Sequence, residues 1–484
     1  MQNTIVVSPC ATYEINGGVF EGWGTSLCWW ANRIGYSDSL SEQAAEAFFG
    51  KDGLRMNIAR YNIGGGDDPS HNHIKRTDSL MPGYTVYNDG KVFYDWNVDN
   101  RQRNVLFKAI NACNDLIVEM FSNSPPYYMT KSGCSSGGAD TREDNLREDC
   151  YADFARYIAA VCEHYEKVWG VKIQSVDAMN EPYTDFWWQY SDKQEGCHFD
   201  LGGSQSKIIL KLQSALRDVG LNDVILCGTD ETSIDTQIDA FNMLSADAKK
   251  ALSRIDTHTY GGNKRDELKA LAISNGKNLW MSEVDSGCTA GKNAGEMGAA
   301  LWLAQRIIDD CNGLNCSAWI LWQTIDSHIC ADGFNGNKDK GMIDLRNGYW
   351  GLAVADHDND NIVLTKKYYA LGQFSRYIRP GYTMLKSSES TLAAYDTLNN
   401  CLVIVSINTS PDSERKYFDL SQFDEIGRTV QVIRTSGGMK NGENWREICP
   451  ITTLEDGFYA DTLANSITTY IIDDVKVKSL KSLL

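Results

Sequence analysis

Two apolar runs in this chain close on a glutamate. Glu181 ends Asp177-Ala178-Met179-Asn180-Glu181-Pro182, and Glu283 ends Asn278-Leu279-Trp280-Met281-Ser282-Glu283. Pro182 cannot continue a strand ladder, so it marks a strand end and turns the chain outward. Two carboxyls that converge in one cleft can break a glycosidic bond: one protonates the leaving oxygen, the other works on the opposite face of the sugar. If the second attacks the anomeric carbon, a glycosyl-enzyme forms and configuration is kept. If it only activates water, configuration inverts and the carboxyls must stand farther apart. A buried carboxyl beside an ionised one keeps its proton more firmly, so Glu181 can serve as acid near neutrality while Glu283 stays charged.

Such a pair needs a scaffold that brings residues 102 positions apart to one place. From about residue 20 to 375, short apolar runs alternate with amphipathic stretches. The runs that read as strands are Phe20–Ser26, Leu54–Arg60, Leu116–Phe121, Ile173–Met179, Val224–Cys227, Arg254–His258, Leu279–Glu283 and Ser317–Trp322. They are nearly continuous, as strands buried on both faces should be. Between them, Ser39-Leu40-Ser41-Glu42 reads as a capping box opening a helix over Glu42–Phe49. Asp149–Trp169 and Gly295–Cys311 carry the three-and-four spacing of helices lying on a sheet. Eight strands in alternation with helices predict a closed (β/α)8 barrel, whose active face lies at the C-terminal strand ends. Strands four and seven lie nearly opposite, so Glu181 and Glu283 can face each other. An open doubly wound sheet would want a phosphate-binding glycine fingerprint. Gly64-Gly65-Gly66 is followed by Asp67-Asp68-Pro69, which would repel phosphate, and reads as a loop.

After Pro380 the texture changes to short strands at Thr383–Leu385, Leu392–Tyr395, Leu402–Asn408, Thr429–Thr435 and Ile467–Ile472, parted by Asn, Asp, Gly and Ser turns. This predicts an antiparallel β-sandwich, with the run around Thr4–Val7 pairing into it. The expected division is 18–378 for the barrel and 1–17 plus 379–484 for the side domain, the two packed tightly.

Several classes of function are disfavoured. A net charge of −18 argues against nucleic acid or an anionic membrane as partner, since both demand a basic face. No run approaches the roughly 20 apolar residues that span a bilayer. The first twenty residues lack a basic segment and offer only Ile5-Val6-Val7 as apolar core, so no signal peptide is read here. The protein is expected inside the cell, or outside it if a leader was removed. The 14 cysteines are scattered, with no C-x-x-C pair and Cys311 and Cys316 the nearest neighbours. They read as mostly free, buried thiols. Asp356-His357-Asp358-Asn359-Asp360 lacks the glycine and twelfth-position glutamate of a calcium loop and reads as solvated. Neither a metal nor a cofactor is expected, and a monomer is.

Longer motifs resemble glycoside hydrolase family 30, retaining (β/α)8 enzymes with a fused side β-domain. The resemblance rests on Phe20-Glu21-Gly22-Trp23-Gly24, on Phe121-Ser122-Asn123-Ser124-Pro125-Pro126-Tyr127-Tyr128-Met129, and on Met179-Asn180-Glu181-Pro182 and Trp280-Met281-Ser282-Glu283. It continues through the run from Lys367 to Gly381 and closes at Ser466-Ile467-Thr468-Thr469-Tyr470. It implies that Glu181 is the acid/base and Glu283 the nucleophile, with Arg60 at the end of strand two steadying that nucleophile. Asn180 is expected to hydrogen-bond the sugar 2-hydroxyl, and His258 and Tyr260, after strand six, to line the same mouth. Tyr260 could donate to Glu283. Trp29, Trp30, Tyr127, Trp187, Trp188 and Trp322 follow strands, and about half are expected to form a sugar platform. Trp30, Trp188 and Trp322 are chosen from them.

Within the family, the runs Trp23–Ala31 and Arg60–Asp67 look most like the endo-β-1,6-galactanase branch, which acts on side chains of arabinogalactan. An axial galactose 4-hydroxyl needs a polar partner, for which Asp67, Asp68 and Asn62 are candidates. A β-linked oligo- or polysaccharide is the expected partner. Other activities of the family, on β-1,6-glucan, xylan or glucosylceramide, are the nearest alternatives. A non-catalytic carbohydrate-binding barrel is the alternative of a different class, though such a protein usually loses one carboxylate and this chain keeps both.

Overall fold

A computed structural model describes residues 3–286, 295–334, 337–340 and 350–477. Its centre is a closed barrel of eight parallel strands: Gly22–Ser26, Ile58–Asn62, Ile117–Phe121, Ser175–Val176, Ile225–Ser233, Leu252–Gly261, Asn278–Val284 and Ala318–Leu321. Strand neighbours follow chain order around the closed barrel. The strands are apolar because they are covered on both sides, and most of their residues are fully buried. Gly24 shows how closely they approach: a Cβ there would sit 2.7 Å from the Ile58 side chain. Helices Asp38–Phe48, Asn100–Ala112, Tyr151–Lys167, Gly203–Asp218 and Met297–Leu314 cover the outside with their apolar faces. None of the described helices is long and apolar enough to cross a membrane.

Several boundaries move. The helix expected to open at a Ser39 cap instead spans Asp38–Phe48, capped by Ser37, whose hydroxyl accepts from the Leu40 N–H at 3.2 Å. Ser37 is extended while Ser39 already lies inside the helix, so only Ser37 can reach the free N–H groups. Strand five, expected to stop at Cys227, runs to Ser233, with register shifts along its pairing to strand six. A four-stranded sheet follows strand eight, formed by Ile325–Phe334, Asn337–Lys340, Ala353–Asp356 and Asn361–Leu364. The acidic run 356–360 is the turn joining the last two of these strands. There Asp356 accepts from Asn359, and Asp358 accepts from the Ala331 N–H.

The C-terminal region forms a six-stranded antiparallel sheet ordered Thr383–Leu385, Thr391–Asp396, Cys401–Asn408, Ser466–Ile472, Thr429–Ser436 and Glu443–Thr452. Against it lies a three-stranded sheet in which Asn3–Val6 runs parallel to Glu414–Asp419, itself antiparallel to Gly457–Thr462. Ile5, Leu402, Ile404, Phe418, Phe458 and Tyr470 fill the space between them. The helix Lys366–Ser375 joins barrel to sandwich. The ammonium of Lys366 donates to the carbonyls of Ser436 and Glu443, and the Trp445 indole donates to the Tyr369 carbonyl at 2.8 Å. Among the described cysteines none forms a disulfide, and most are buried.

Candidate active site

The C-terminal strand ends bring Glu181, His258 and Glu283 together. A carboxylate oxygen of each glutamate and a ring nitrogen of the histidine all lie within 4.8 Å of one another. All three residues are buried, with Glu181 8 % and Glu283 4 % exposed, so their charges act on each other through little water.

Glu181 adopts a φ of +49°, a left-handed conformation that costs a side-chain-bearing residue about 1–3 kcal/mol. Three hydrogen bonds hold it there. Its N–H donates to the Asp230 carbonyl at 2.9 Å, and its own carbonyl accepts from the Trp187 indole and the Thr184 hydroxyl, each at 3.0 Å. The bend throws the Glu181 carboxyl back over the barrel mouth, where Oε1 stands 3.1 Å from Nδ1 of His258.

Glu283 is gripped on both oxygens. Oε2 accepts from Arg60 Nη1 at 3.0 Å, and Oε1 accepts from the Tyr260 hydroxyl at 3.0 Å. His258 Nδ1 lies 3.6 Å from the same Oε1. Burial pushes the Glu283 carboxyl above the ordinary carboxylate range, and the neighbouring His258 and Arg60 cations oppose that rise. Burial would also drive His258 to its neutral form. The carboxylates of Glu283 and Asp230 outweigh it and hold the imidazole well above its usual value, hence cationic. Tyr260 is raised well above the ordinary phenol range by burial and by Glu283, and remains a neutral donor.

Arg60 is fully buried and spends its whole fork. Besides Glu283 it donates to Asp230 Oδ2 at 2.7 Å, to Glu119 Oε1 at 3.1 Å and to the Ser26 hydroxyl at 3.0 Å, with its plane 4.1 Å over the Phe121 ring. Asp230 in turn accepts from Ser282 and stands 3.1 Å from Nε2 of His258. Burial notwithstanding, Arg60 and His258 hold Asp230 well below the ordinary carboxylate range. Strand-end reasoning misses Asp230, because the apolar run of strand five stops three residues before it. An acid at the tip of a longer strand five is the signal that could have found it. Asn123, at the tip of strand three, is missed too. It is buried, and both polar atoms of its amide lack a partner within the protein, as does Oδ1 of Asn180. Buried polar atoms in that condition cost about 1–3 kcal/mol unless a ligand or solvent meets them, which makes both asparagines natural contacts for hydroxyls.

The expected aromatics divide. Trp322 extends strand eight, its N–H donating to the Val284 carbonyl, and meets Trp29 edge-on at 5.0 Å in a cluster with Phe121 and Trp350. Trp350 lies 6.3 Å from Tyr260, so this wall adjoins the Glu283 side of the mouth. Trp188 is 56 % exposed on the loop after Glu181. Trp30 must be withdrawn from the contact set. It is fully buried on the outer side of the barrel wall, edge-on to Phe48, with its N–H given to the Ser26 carbonyl. Trp187 likewise points inward to hold Glu181.

Asp67 is also withdrawn. Its Oδ1 accepts from the Ser135 N–H at 3.0 Å, and its Oδ2 faces His71 and His73 at 3.2 and 3.5 Å, so both oxygens are already turned to partners within the protein. Asn62 is spent on Glu195 and the Asn123 N–H, and Asp68 caps Ser70 in an exposed turn.

Residues 2–247 match the family model described as O-glycosyl hydrolase family 30. The chain is 31% identical to an endo-beta-1,6-galactanase from Hypocrea rufa, over 98% of this chain and 95% of that one. It is 24% identical to an exo-beta-1,6-galactobiohydrolase from Bifidobacterium longum subsp. longum, over 91% of this chain and 37% of that longer protein. Among solved structures, the catalytic domain of the family 30 xylanase C from Talaromyces cellulolyticus superposes with a TM-score of 0.72 at 19% identity, covering 97% of this chain and 99% of that one.

Proposed function

The chain belongs to O-glycosyl hydrolase family 30, and from that premise we propose that it cleaves β-1,6-linked galactan with retention of configuration, Glu283 as nucleophile and Glu181 as acid/base. The observation that carries the mechanism is the spacing of the two carboxyls. An oxygen of Glu181 lies within 4.8 Å of one of Glu283. Retaining enzymes hold their carboxyls about 5–5.5 Å apart, whereas inverting ones leave about 6.5–9.5 Å for a water. Glu283 is oriented by a buried guanidinium and a phenol, which fix its oxygens for attack on an anomeric carbon. The Glu181 carboxyl is held more lightly, by an imidazole contact, and can deliver a proton to the leaving oxygen and then take one from water. His258 and Arg60 balance the negative charge of the pair, so that the glycosyl-enzyme can form in a site with little solvent.

The choice of sugar is supported by the activities named for the Hypocrea and Bifidobacterium relatives, which share the β-1,6-galactosyl linkage. Asn123 and Asn180, rather than Asp67, supply the unpartnered polar groups for its hydroxyls. The test is incubation with β-1,6-galactan, β-1,6-glucan and glucuronoxylan, with products sized by chromatography and the first-formed anomer read by proton NMR. Galacto-oligosaccharides appearing first as the β-anomer are expected. Initial release of the α-anomer would refute the mechanism, and faster cleavage of glucan or xylan would refute the substrate.

A further inference from the structure

Beside the cleft, on loops that the catalytic reading leaves unused, four side chains of metal-binding type converge. Asp67, His71 and His73 come from the loop after strand two, and Cys134 from the loop after strand three. One ligand-type atom of each lies within 4.8 Å of those of the other three. Asp67 Oδ2 stands 3.2 Å from Nδ1 of His71. His73 meets Asp67 Oδ2 through Nδ1 at 3.5 Å and the Cys134 sulfur through Nε2 at 3.3 Å, and only one of these two nitrogens can join a single ion. The Cys134 side chain is fully buried, and those of Asp67, His73 and His71 are 7 %, 12 % and 20 % exposed. Asp67 forms no ion pair with a lysine or arginine among the described residues; its Oδ2 faces the two imidazoles.

We propose that these four residues bind a zinc ion. The donor set itself argues for that metal: a thiolate and two imidazoles suit a borderline-soft ion, and hard magnesium or calcium would choose oxygen ligands instead. Charge argues the same way, since a thiolate and a carboxylate neutralise a divalent cation and the neutral imidazoles add none. Such a site can be buried without a net charge. Tetrahedral coordination with bonds of about 2.0–2.3 Å places ligand atoms roughly 3.3–3.8 Å apart, so the cluster closes around the ion with shifts of about an ångström or less. Binding replaces the Cys134 thiol proton, which leaves to solvent, with a sulfur–zinc bond. Four protein ligands leave no open position, so the ion is structural rather than catalytic.

Its effect reaches the cleft through Ser136, whose hydroxyl lies 3.1 Å from the Cys134 sulfur, donates to the Trp188 carbonyl at 3.0 Å and accepts from the Ser191 N–H. Tyr190 packs edge-on against both imidazoles. The ion would therefore clamp the loops after strands two and three to the loop that carries Trp188. The binding itself does not depend on which sugar is cleaved.

The experiment uses the full-length protein. Metal content after purification without chelator is measured by plasma mass spectrometry, and protein stripped of metal is titrated with zinc and with cobalt(II). We expect about one zinc per chain, a Tm raised by zinc, and a tetrahedral cobalt spectrum with a thiolate charge-transfer band. Cys134→Ser, isosteric and checked for folding by circular dichroism, should lose that band. His73→Gln should weaken zinc binding by at least about a hundredfold, because losing even an outer partner costs roughly 10- to 100-fold. Absence of metal uptake by the wild type overturns the proposal. So does a cobalt spectrum that is unchanged in Cys134→Ser, because the ion then sits on other cysteines.

Discussion

Glu283 and Glu181 are held in opposite ways, one by a rigid cationic fork and the other by a strained backbone, and each predicts its own defect. Arg60 neutralises three buried carboxylates, so Arg60→Gln leaves Glu283, Asp230 and Glu119 without that counter-ion. Removing one partner from a buried pair costs about 3–5 kcal/mol, a loss that chemical denaturation will register. The same substitution removes a cation that opposes the burial-driven rise of the Glu283 carboxyl. The ionised form then begins at higher pH, and the acid limb of kcat/KM moves upward. Tyr260→Phe removes one hydrogen bond to a charged oxygen, worth about 1.5–3 kcal/mol, and lowers kcat roughly 10- to 100-fold without unfolding the protein. An unchanged acid limb in Arg60→Gln would mean that Glu283 is not the group whose ionisation the profile reports.

Elements decide which of several similar residues are buried and which stay open to solvent. Trp30 and Trp188 both follow a strand run, yet the short helix Trp30–Ile34 turns Trp30 onto Phe48 and the loop after Glu181 leaves Trp188 in solvent. Trp30→Ala is therefore expected to cost about 3–5 kcal/mol of stability. Trp188→Ala should leave Tm unchanged and raise KM roughly 3- to 10-fold, the worth of one aromatic contact. Equal KM effects from the two would contradict the placement. Two sandwich strands that no apolar run announces differ in place: Glu414–Asp419 is the middle strand of the three-stranded sheet, and Glu443–Thr452 is an edge of the six-stranded one. Glu443–Thr452 and Glu414–Asp419 are rich in charge, and the first, an edge strand, carries Pro450. Edge strands accept proline and exposed charge because one side of their ladder faces water. Their pairing is fixed by the neighbour rather than by their own pattern.

At the scale of the whole molecule, buried acids set how stability depends on pH. Burial pushes Glu195 and Glu231 each to about 8, although both accept hydrogen bonds. A folded-state value raised above the unfolded one gives stability that is complete below the ordinary carboxylate range and is lost as pH rises toward 8. Asp230 works in the opposite sense: its lowered value gives stability that is lost only as pH falls below the ordinary range. Thermal unfolding should thus show a higher Tm near about pH 5 than near about pH 8, and Glu195→Gln should flatten that slope. A Tm that rises between those two pH values would show that these acids are ionised in the fold. The eight barrel strands were legible in the chain alone, because burial on both faces leaves a local pattern. Their bounds were not: strand four, expected over Ile173–Met179, is only Ser175–Val176, so Glu181 lies in the loop beyond it, whereas Glu283 does fall in strand seven. The family was legible too, carried by contiguous motifs. The burial of Trp30, the engagement of Asp67 by Ser135 and two imidazoles, the contact of Asp230 with Arg60 and His258, the unpartnered amide of Asn123, and the meeting of Asp67, His71, His73 and Cys134 were decided only by the tertiary structure. Each depends on which way a loop turns after its strand, and that direction is set by contacts with residues scores of positions away, which no local spacing encodes.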